Sequence, residues 1–396
     1  MQIPAELEIA RGMPPQGCAV ADAERYTRRL AKHHYENFNV ASWLLPKRLH
    51  QHFYNLYAYC RWADDLGDEI ADPARVLDLL NAWEQELRDC YAGKPSHPVF
   101  VALRQTVRAC DIPIEPFSDL LVAFRQDQTV HRYPTWNGLL GYSRYSANPV
   151  GRLVLYLCGY RDAARQQLSD ATCTGLQLTN CWQDVGRDLD KGRMYIPLEA
   201  LAAHGLTEDD ILARRFDARY VSLMKELIAR TRELFAQGLP LAGRVDSALR
   251  VDIELFSQGG LAVLDSIEEI GYNTLQHRPS IPKSKQLRML LRALFQRVFA
   301  HGSAAATVTA PVPGRPAIVE GGCLPSNVEK APHDITGAVG QSYAECRRVA
   351  RTAASNFYYA FFMLPQVKRD ALCAPHACIL RRTVALAGRA RCGCGR

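Results

Sequence analysis

No run of apolar residues in the 396-residue chain reaches the roughly 18 that a membrane-spanning helix needs. The N-terminus carries Glu6 and Glu8 where an export leader has a basic run ahead of an apolar one, so a cytoplasmic protein is expected, touching the inner face of a membrane only peripherally. No G-x-G-x-x-G follows a strand-like segment and there is no P-loop, which leaves nucleotide and dinucleotide domains without support. The thirteen cysteines, spread from Cys18 to Cys394, never form two C-x-x-C units at zinc-finger spacing, and they read as small core residues in a reducing compartment. Acidic groups are missing from the last 26 residues, which hold five arginines. Without that tail 43 basic groups face 41 acidic ones, so the net charge of +7 gives no reason to expect a nucleic-acid partner.

What is present is a helical rhythm from about residue 21 to residue 300. Arg75–Tyr91 places Val76, Leu79, Leu80, Trp83 and Leu87 on one stripe, and Arg219–Gln237 and Val251–Leu275 repeat the three-and-four spacing. Gly and Pro fall mostly between these runs, which predicts an all-α bundle with short loops. After His301 the texture becomes Ala-, Gly-, Pro- and Ser-rich. Beyond it, Cys346–Pro365 repeats the pattern of Thr27–Pro46, Asn37-Phe38 recurring as Asn356-Phe357 and Leu45-Pro46 as Leu364-Pro365. The expected organisation is an N-terminal extension over 1–21, a helical domain over 22–300, a flexible linker over 301–340 and, over 341–396, an incomplete second repeat without acidic motifs.

Two acidic segments fall on predicted helices. In Tyr57–Glu69, spacings of three and four put Tyr57, Arg61, Asp64 or Asp65, and Asp68 on one face. In Gln177–Asp188, Asn180, Asp184 and Asp188 recur every fourth residue, about 6 Å apart along one ridge. Carboxylates gathered on one helix face repel each other, and a fold keeps them together by exposing them or by supplying cations. A solvated acidic face is the plain account of either segment alone. Both together describe a site for magnesium, which takes one or two carboxylates per ion and fills its other positions with water and phosphate oxygens.

Asp64-Asp65-Leu-Gly-Asp68 and Asn180-Cys-Trp-Gln-Asp184-Val-Gly-Arg-Asp188 resemble the paired metal-binding motifs of the squalene/phytoene synthase family, and Tyr57-Ala-Tyr-Cys-Arg61 and Gly192-Arg193-Met-Tyr195-Ile-Pro197 match its pattern as well. The resemblance covers roughly residues 22–295. It implies an isoprenoid synthase helical bundle with a central cavity, where Asp64, Asp65, Asp68, Asn180, Asp184 and Asp188 hold Mg2+ and a prenyl diphosphate is ionised. Within the family, His34–Phe38, Ala41–Pro46 and Tyr145–Arg152 are most similar to bacterial hydroxysqualene synthases of hopanoid pathways. Glu36 stands where condensing relatives have a lysine, and Asn148-Pro149 interrupts their small-residue run, which fits an enzyme that ionises one diphosphate rather than binding two.

The reaction so implied converts presqualene diphosphate to hydroxysqualene. Tyr57 and Arg61 act beside the acidic residues, with Arg278 or Lys283 adding positive charge at the cavity mouth. Phe38, Trp43, Tyr57, Tyr142 and Trp182 are candidates for an aromatic cavity lining that steadies the cation, although aromatics at helical spacing are more often plain core. Gln177, Arg193 and Tyr195 complete the expected substrate contacts. Two alternatives stay open: a head-to-head condensing enzyme that makes presqualene diphosphate, squalene or phytoene, and a non-catalytic prenyl diphosphate-binding subunit. Neighbouring squalene-pathway enzymes are the protein partners this reading implies. Lys283–Ala300, basic and apolar at helical spacing, is either a helix closing the bundle or a segment resting on an anionic membrane.

Overall fold

The computed structural model describes residues 7–281, apart from residues 11, 34–45 and 71. Phe38, Trp43 and Lys283, the segment Lys283–Ala300, the linker and the second repeat therefore lie outside the described residues. Thirteen α-helices are present among them: α1 (Val20–His33), α2 (His50–Asp68), α3 (Pro73–Ala92), α4 (Pro98–Cys110), α5 (Glu115–Gln126), α6 (Trp136–Ser146), α7 (Asn148–Leu157), α8 (Ala163–Gln183), α9 (Val185–Asp190), α10 (Leu198–Ala203), α11 (Glu208–Leu212), α12 (Ala218–Gly238) and α13 (Ser247–Glu269). The described residues form no β-strand; a single bridge pairs Arg132 with Met194. The all-α expectation holds. No described helix is long and apolar enough to cross a membrane.

Local chemistry sets the helix starts. Asp72 caps α3 by accepting from the Ala74 amide, Asp162 caps α8 through the Arg165 amide, and Asp217 caps α12 through the Arg219 and Tyr220 amides. The stripe expected within α3 is the buried one, with Val76, Leu80, Trp83 and Leu87 fully enclosed and Leu79 nearly so. The stripe expected to run to Leu275 ends earlier: α13 stops at Glu269, and the chain turns back with Tyr272 at φ 69°.

Apolar residues gather in two main clusters. The first joins α1 to α5 and α7 around stacked Trp62 and Trp83, whose ring centroids are 5.5 Å apart, with Tyr59, Phe100 and Phe117 packed against them. Leu7 and Ile9, in the stretch read as an extension ahead of the domain, are each 2% exposed in this cluster, and Ile9 accepts a hydrogen bond from the Tyr26 hydroxyl at 2.8 Å. The second cluster joins α6, α8, α12 and α13 around Trp182, Tyr220, Phe235 and Leu264. Helices α8 and α13 approach closely at Gly260, where an added Cβ would lie 2.4 Å from Phe235 and 3.0 Å from Leu176. The acid-bearing helices α2 and α8 each bury one face in these clusters, and α7 packs against both.

Candidate active site

A cavity of about 370 Å3 runs beside α8. Ser169, Thr172, Cys173, Leu176, Gln177 and Asn180 line it from α8; Phe53 of α2, Val150, Gly151, Val154 and Leu155 of α7, and Leu249, Asp252, Ile253 and Phe256 of α13 complete most of the wall. Since a helix rises ~1.5 Å per residue, the lining from Ser169 to Asn180 extends ~16 Å. The cavity is largely apolar and reaches the second acidic motif at Asn180. Gln177 and Asn180, both named from the sequence, thus line the cavity. Asn148 is 7% exposed and accepts from Thr174 Oγ1 at 2.9 Å, and Pro149 opens α7, so the Asn-Pro step breaks the helical path next to Ala147 and Val150 of the wall.

Four-residue spacing sorts the first motif. Asp64 and Asp68 remain accessible on one face of α2, whereas Asp65 turns inward and is ion-paired to Arg61, its side chain 3% exposed. Arg61 also reaches Asp64 and Glu69, each at 3.6 Å. Asp65 therefore belongs to an internal ion pair and not to the accessible acidic face. Burial first, then the charge of Glu69 and Asp64, pushes its carboxyl up to about 6 against the pull of Arg61. Asp64 is raised by burial and next by Asp68. Tyr57 lies half-buried in the field of Arg61, Asp65 and Asp64.

The second motif is not one unbroken helix. Helix α8 ends at Gln183, Asp184 forms the join at φ −103° and ψ 15°, and α9 begins at Val185. The four-residue hydrogen bonds nevertheless cross the join, from the Asp184 amide to Asn180 and from the Asp188 amide to Asp184, both 2.9 Å. Asn180, Asp184 and Asp188 so keep a common ridge. Asp188 is pushed up to about 7, by burial first and by Asp184 second. The segment after α13 crosses this join tightly: the Gly186 amide donates to the Thr274 carbonyl at 3.2 Å, and an added Cβ at Gly186 would lie 2.7 Å from the Leu275 carbonyl oxygen. The crossing brings the Arg278 guanidinium onto both Asp184 oxygens, with Nη2 donating to Oδ2 at 3.1 Å, and the Pro279 carbonyl onto Gln183 Nε2 at 2.8 Å.

The loop after α9 joins the two motifs. The Met194 amide donates to the His131 carbonyl at 3.0 Å, and Arg132 holds the Gly192 carbonyl at 2.7 Å. So anchored, Arg193 donates to Asp68 at 3.2 Å, and Lys191 acts on both Asp64 and Asp188. Tyr195 stacks on Tyr133, ring centroids 5.8 Å apart, and Tyr142 packs on both. Tyr142 donates to Asp127 at 3.2 Å. Asp127 is a third carboxylate beside the first motif that no spacing in the sequence signals; burial pushes it up to about 6 against the pull of Arg193.

Three expected lining residues stand elsewhere, Tyr57 being half-buried beside Arg61 of the first motif and outside the cavity wall. Trp182 is fully enclosed in the second cluster, where its indole N–H donates to Thr231 Oγ1 at 2.8 Å, and Tyr142 is buried in the tyrosine stack. Both ride helices whose apolar stripe faces the core. Phe53 and Phe256 are the aromatic residues of the described wall.

Among the described residues no group of three or more His, Cys, Asp or Glu could by itself hold a metal ion. The donor set nevertheless fits one supplied together with a phosphate ligand. Asp64 and Asp188 are carboxylates whose acidity is suppressed by burial and by a carboxylate neighbour, an arrangement that an added cation relieves.

An all-α bundle whose acid-bearing helices α2 and α8 both contribute to the wall of a long apolar cavity has the architecture of an isoprenoid synthase. The match to the squalene/phytoene synthase family model spans residues 31–317, and the chain belongs to that family. It is 31% identical over 294 residues to a phytoene synthase of Arthrospira platensis, covering 68% of this chain and 92% of that protein. It is 36% identical over 215 residues to a hydroxysqualene synthase of Rhodopseudomonas palustris, covering 54% and 72%. The crystal structure of the squalene synthase HpnC from Alicyclobacillus acidocaldarius superposes with a TM-score of 0.63 at 44% identity, covering 64% of this chain and 96% of that one.

Proposed function

We propose that the protein ionises presqualene diphosphate and captures the resulting cation with water, giving hydroxysqualene and diphosphate. The observation that carries this reading is the convergence of both acidic motifs, through the Arg193–Asp68 contact, beside an apolar cavity that opens at Asn180. Asp64, Asp68, Asn180, Asp184 and Asp188 are the residues that would hold Mg2+. Bound there, the ion would offset the negative charge that builds on the departing diphosphate.

The chain's own residues do the rest. Arg193 and Arg278, each paired with a motif carboxylate, are placed to exchange that partner for phosphate oxygens when a diphosphate enters. Leu176, Val150, Val154 and Phe256 exclude water from the hydrocarbon arm, while Gln177 and Asn180 supply polar groups at the end next to the second motif. In the reaction the carbon–oxygen bond to diphosphate breaks with its electron pair on the leaving group. The cyclopropylcarbinyl cation rearranges, a water oxygen bonds to the allylic cation, and the water's proton passes to the released diphosphate. No reductant is consumed.

The test offers the purified protein presqualene diphosphate and farnesyl diphosphate in separate reactions with Mg2+, in water enriched in oxygen-18. The expected product is labelled hydroxysqualene from presqualene diphosphate, with one diphosphate released per molecule. Conversion of farnesyl diphosphate alone to presqualene diphosphate, squalene or a dehydrosqualene overturns the reading in favour of a condensing enzyme.

A further inference from the structure

The far end of the cavity carries information that the acidic motifs do not. Helices α8 and α13 run in the same direction, because each runs against α12: Trp182 meets Thr231 and Gly175 meets Phe235 on one side, while Asp265 and Glu268 pair with Arg232 and Gly260 meets Phe235 on the other. Asp252, eight residues before Gly260, therefore lies ~12 Å along the axis from the level of Leu176, towards the Ser169 end. The N-terminus of α13 is anchored at that same end, where the Asp246 amide donates to the Tyr160 hydroxyl at 2.7 Å just beyond α7. Phe53 lies on α2 eleven residues before Asp64, again at the end remote from the acids. With Leu241 and Leu249, each 2% exposed, these residues make the floor of the cavity, and Asp252 is 3% exposed within it.

An extended chain advances ~3.4 Å over the three backbone bonds of a residue, so the four bonds of an isoprene unit advance ~4.5 Å. Three units need ~14 Å and four need ~18 Å, against the ~16 Å between Asn180 and the floor. A fourth unit would have to press its methyl groups against the buried carboxyl group of Asp252, a polar surface that hydrocarbon cannot solvate.

We propose that Asp252, with Leu241 and Leu249 beside it, is the stop of the prenyl cavity and restricts the enzyme to substrates with fifteen-carbon arms. The inference rests on the reading of the cavity as a prenyl-diphosphate site and sharpens it to a substrate length. The test measures binding of two unreactive analogues, farnesyl and geranylgeranyl S-thiolodiphosphate, to the full chain with Mg2+. The parent should bind the fifteen-carbon analogue at least tenfold more tightly. Asp252→Ala, which removes the polar stop, and Leu249→Ala, which deepens the floor without touching the charge, should each bring the preference below threefold; Asp252→Asn, polar and of the same size, should keep it. Equal binding of both analogues by the parent, or a preference still tenfold in both alanine variants, overturns the proposal. Because the readout is binding, it is independent of the product formed. A parent that selects the shorter chain and makes squalene refutes the hydroxysqualene reading alone, and one that makes hydroxysqualene yet binds both chains equally refutes the stop alone.

Discussion

Asp64 and Asp65 are sequence neighbours with opposite environments, and they separate catalysis from stability in one experiment. Asp64→Ala or Asp184→Ala removes an accessible carboxylate from a motif face, so turnover should fall by more than tenfold, above ~1.4 kcal/mol in barrier, with the helical circular dichroism unchanged. Asp65→Ala instead strips Arg61 of its inward partner. It should lower the unfolding free energy by ~2 kcal/mol in urea titrations, less than the loss of a fully buried pair, because Arg61 retains 29% exposure. His97 supplies a different residue-scale test. Its ring is fully buried against Trp62, Trp83 and Phe100, and that burial pushes its pKa down to about 3. The folded protein keeps His97 neutral while the unfolded chain takes up a proton near pH 6.5, so stability is lost as the pH falls below ~6.5 towards 3. His97→Asn retains a side-chain acceptor for the Val99 amide, which His97 Nδ1 now serves at 3.2 Å. Urea unfolding at pH 7 and pH 5 should show the variant losing ~2 kcal/mol less than the parent over that interval.

At the scale of elements, the contact of α13 with α8 and α12 depends on the missing side chain at Gly260. Gly260→Ala would drive a methyl group into Phe235 and Leu176 and should cost ~1–3 kcal/mol, visible as a fall in Tm. The adjacent Gly259 has no atom within 4 Å of an added Cβ. Gly259→Ala should raise stability by ~0.5–1 kcal/mol through helix propensity, so an equal loss at both positions would show that the packing argument is wrong. The break at Asp184 shows why motif spacing alone describes an element incompletely. Period-four acids read as one ridge, and the hydrogen-bond register does preserve the ridge, but the close crossing of the 274–279 segment ends α8 there and sets Arg278 against Asp184. That crossing involves residues ninety positions apart, which local periodicity does not register.

For the whole molecule, the family match ends at residue 317, and the sequence beyond it repeats neither acidic motif. A chain ending at Ala317 should keep magnesium-dependent turnover within about threefold of the full chain, under ~1 kcal/mol. A folded but inactive truncation would show that the later residues complete the site.

Sequence alone determined the all-α class, the buried stripe of α3 and the two acidic motifs, because a helix repeats every 3.6 residues and a period in the sequence becomes a face in space. Tertiary structure decided which members of those faces do what. Asp65 and Trp182 carry the right residue types at the right spacing, yet one is drawn into an ion pair with Arg61 and the other into the core, since the same helical period serves both a site and a core. Asp127 and Asp252 carry no periodic signal, and they matter only because α5 and α13 bring them to the first motif and to the cavity floor. Depth, closure and charge balance are properties of contacts between distant segments, and those exist only once the helices have packed.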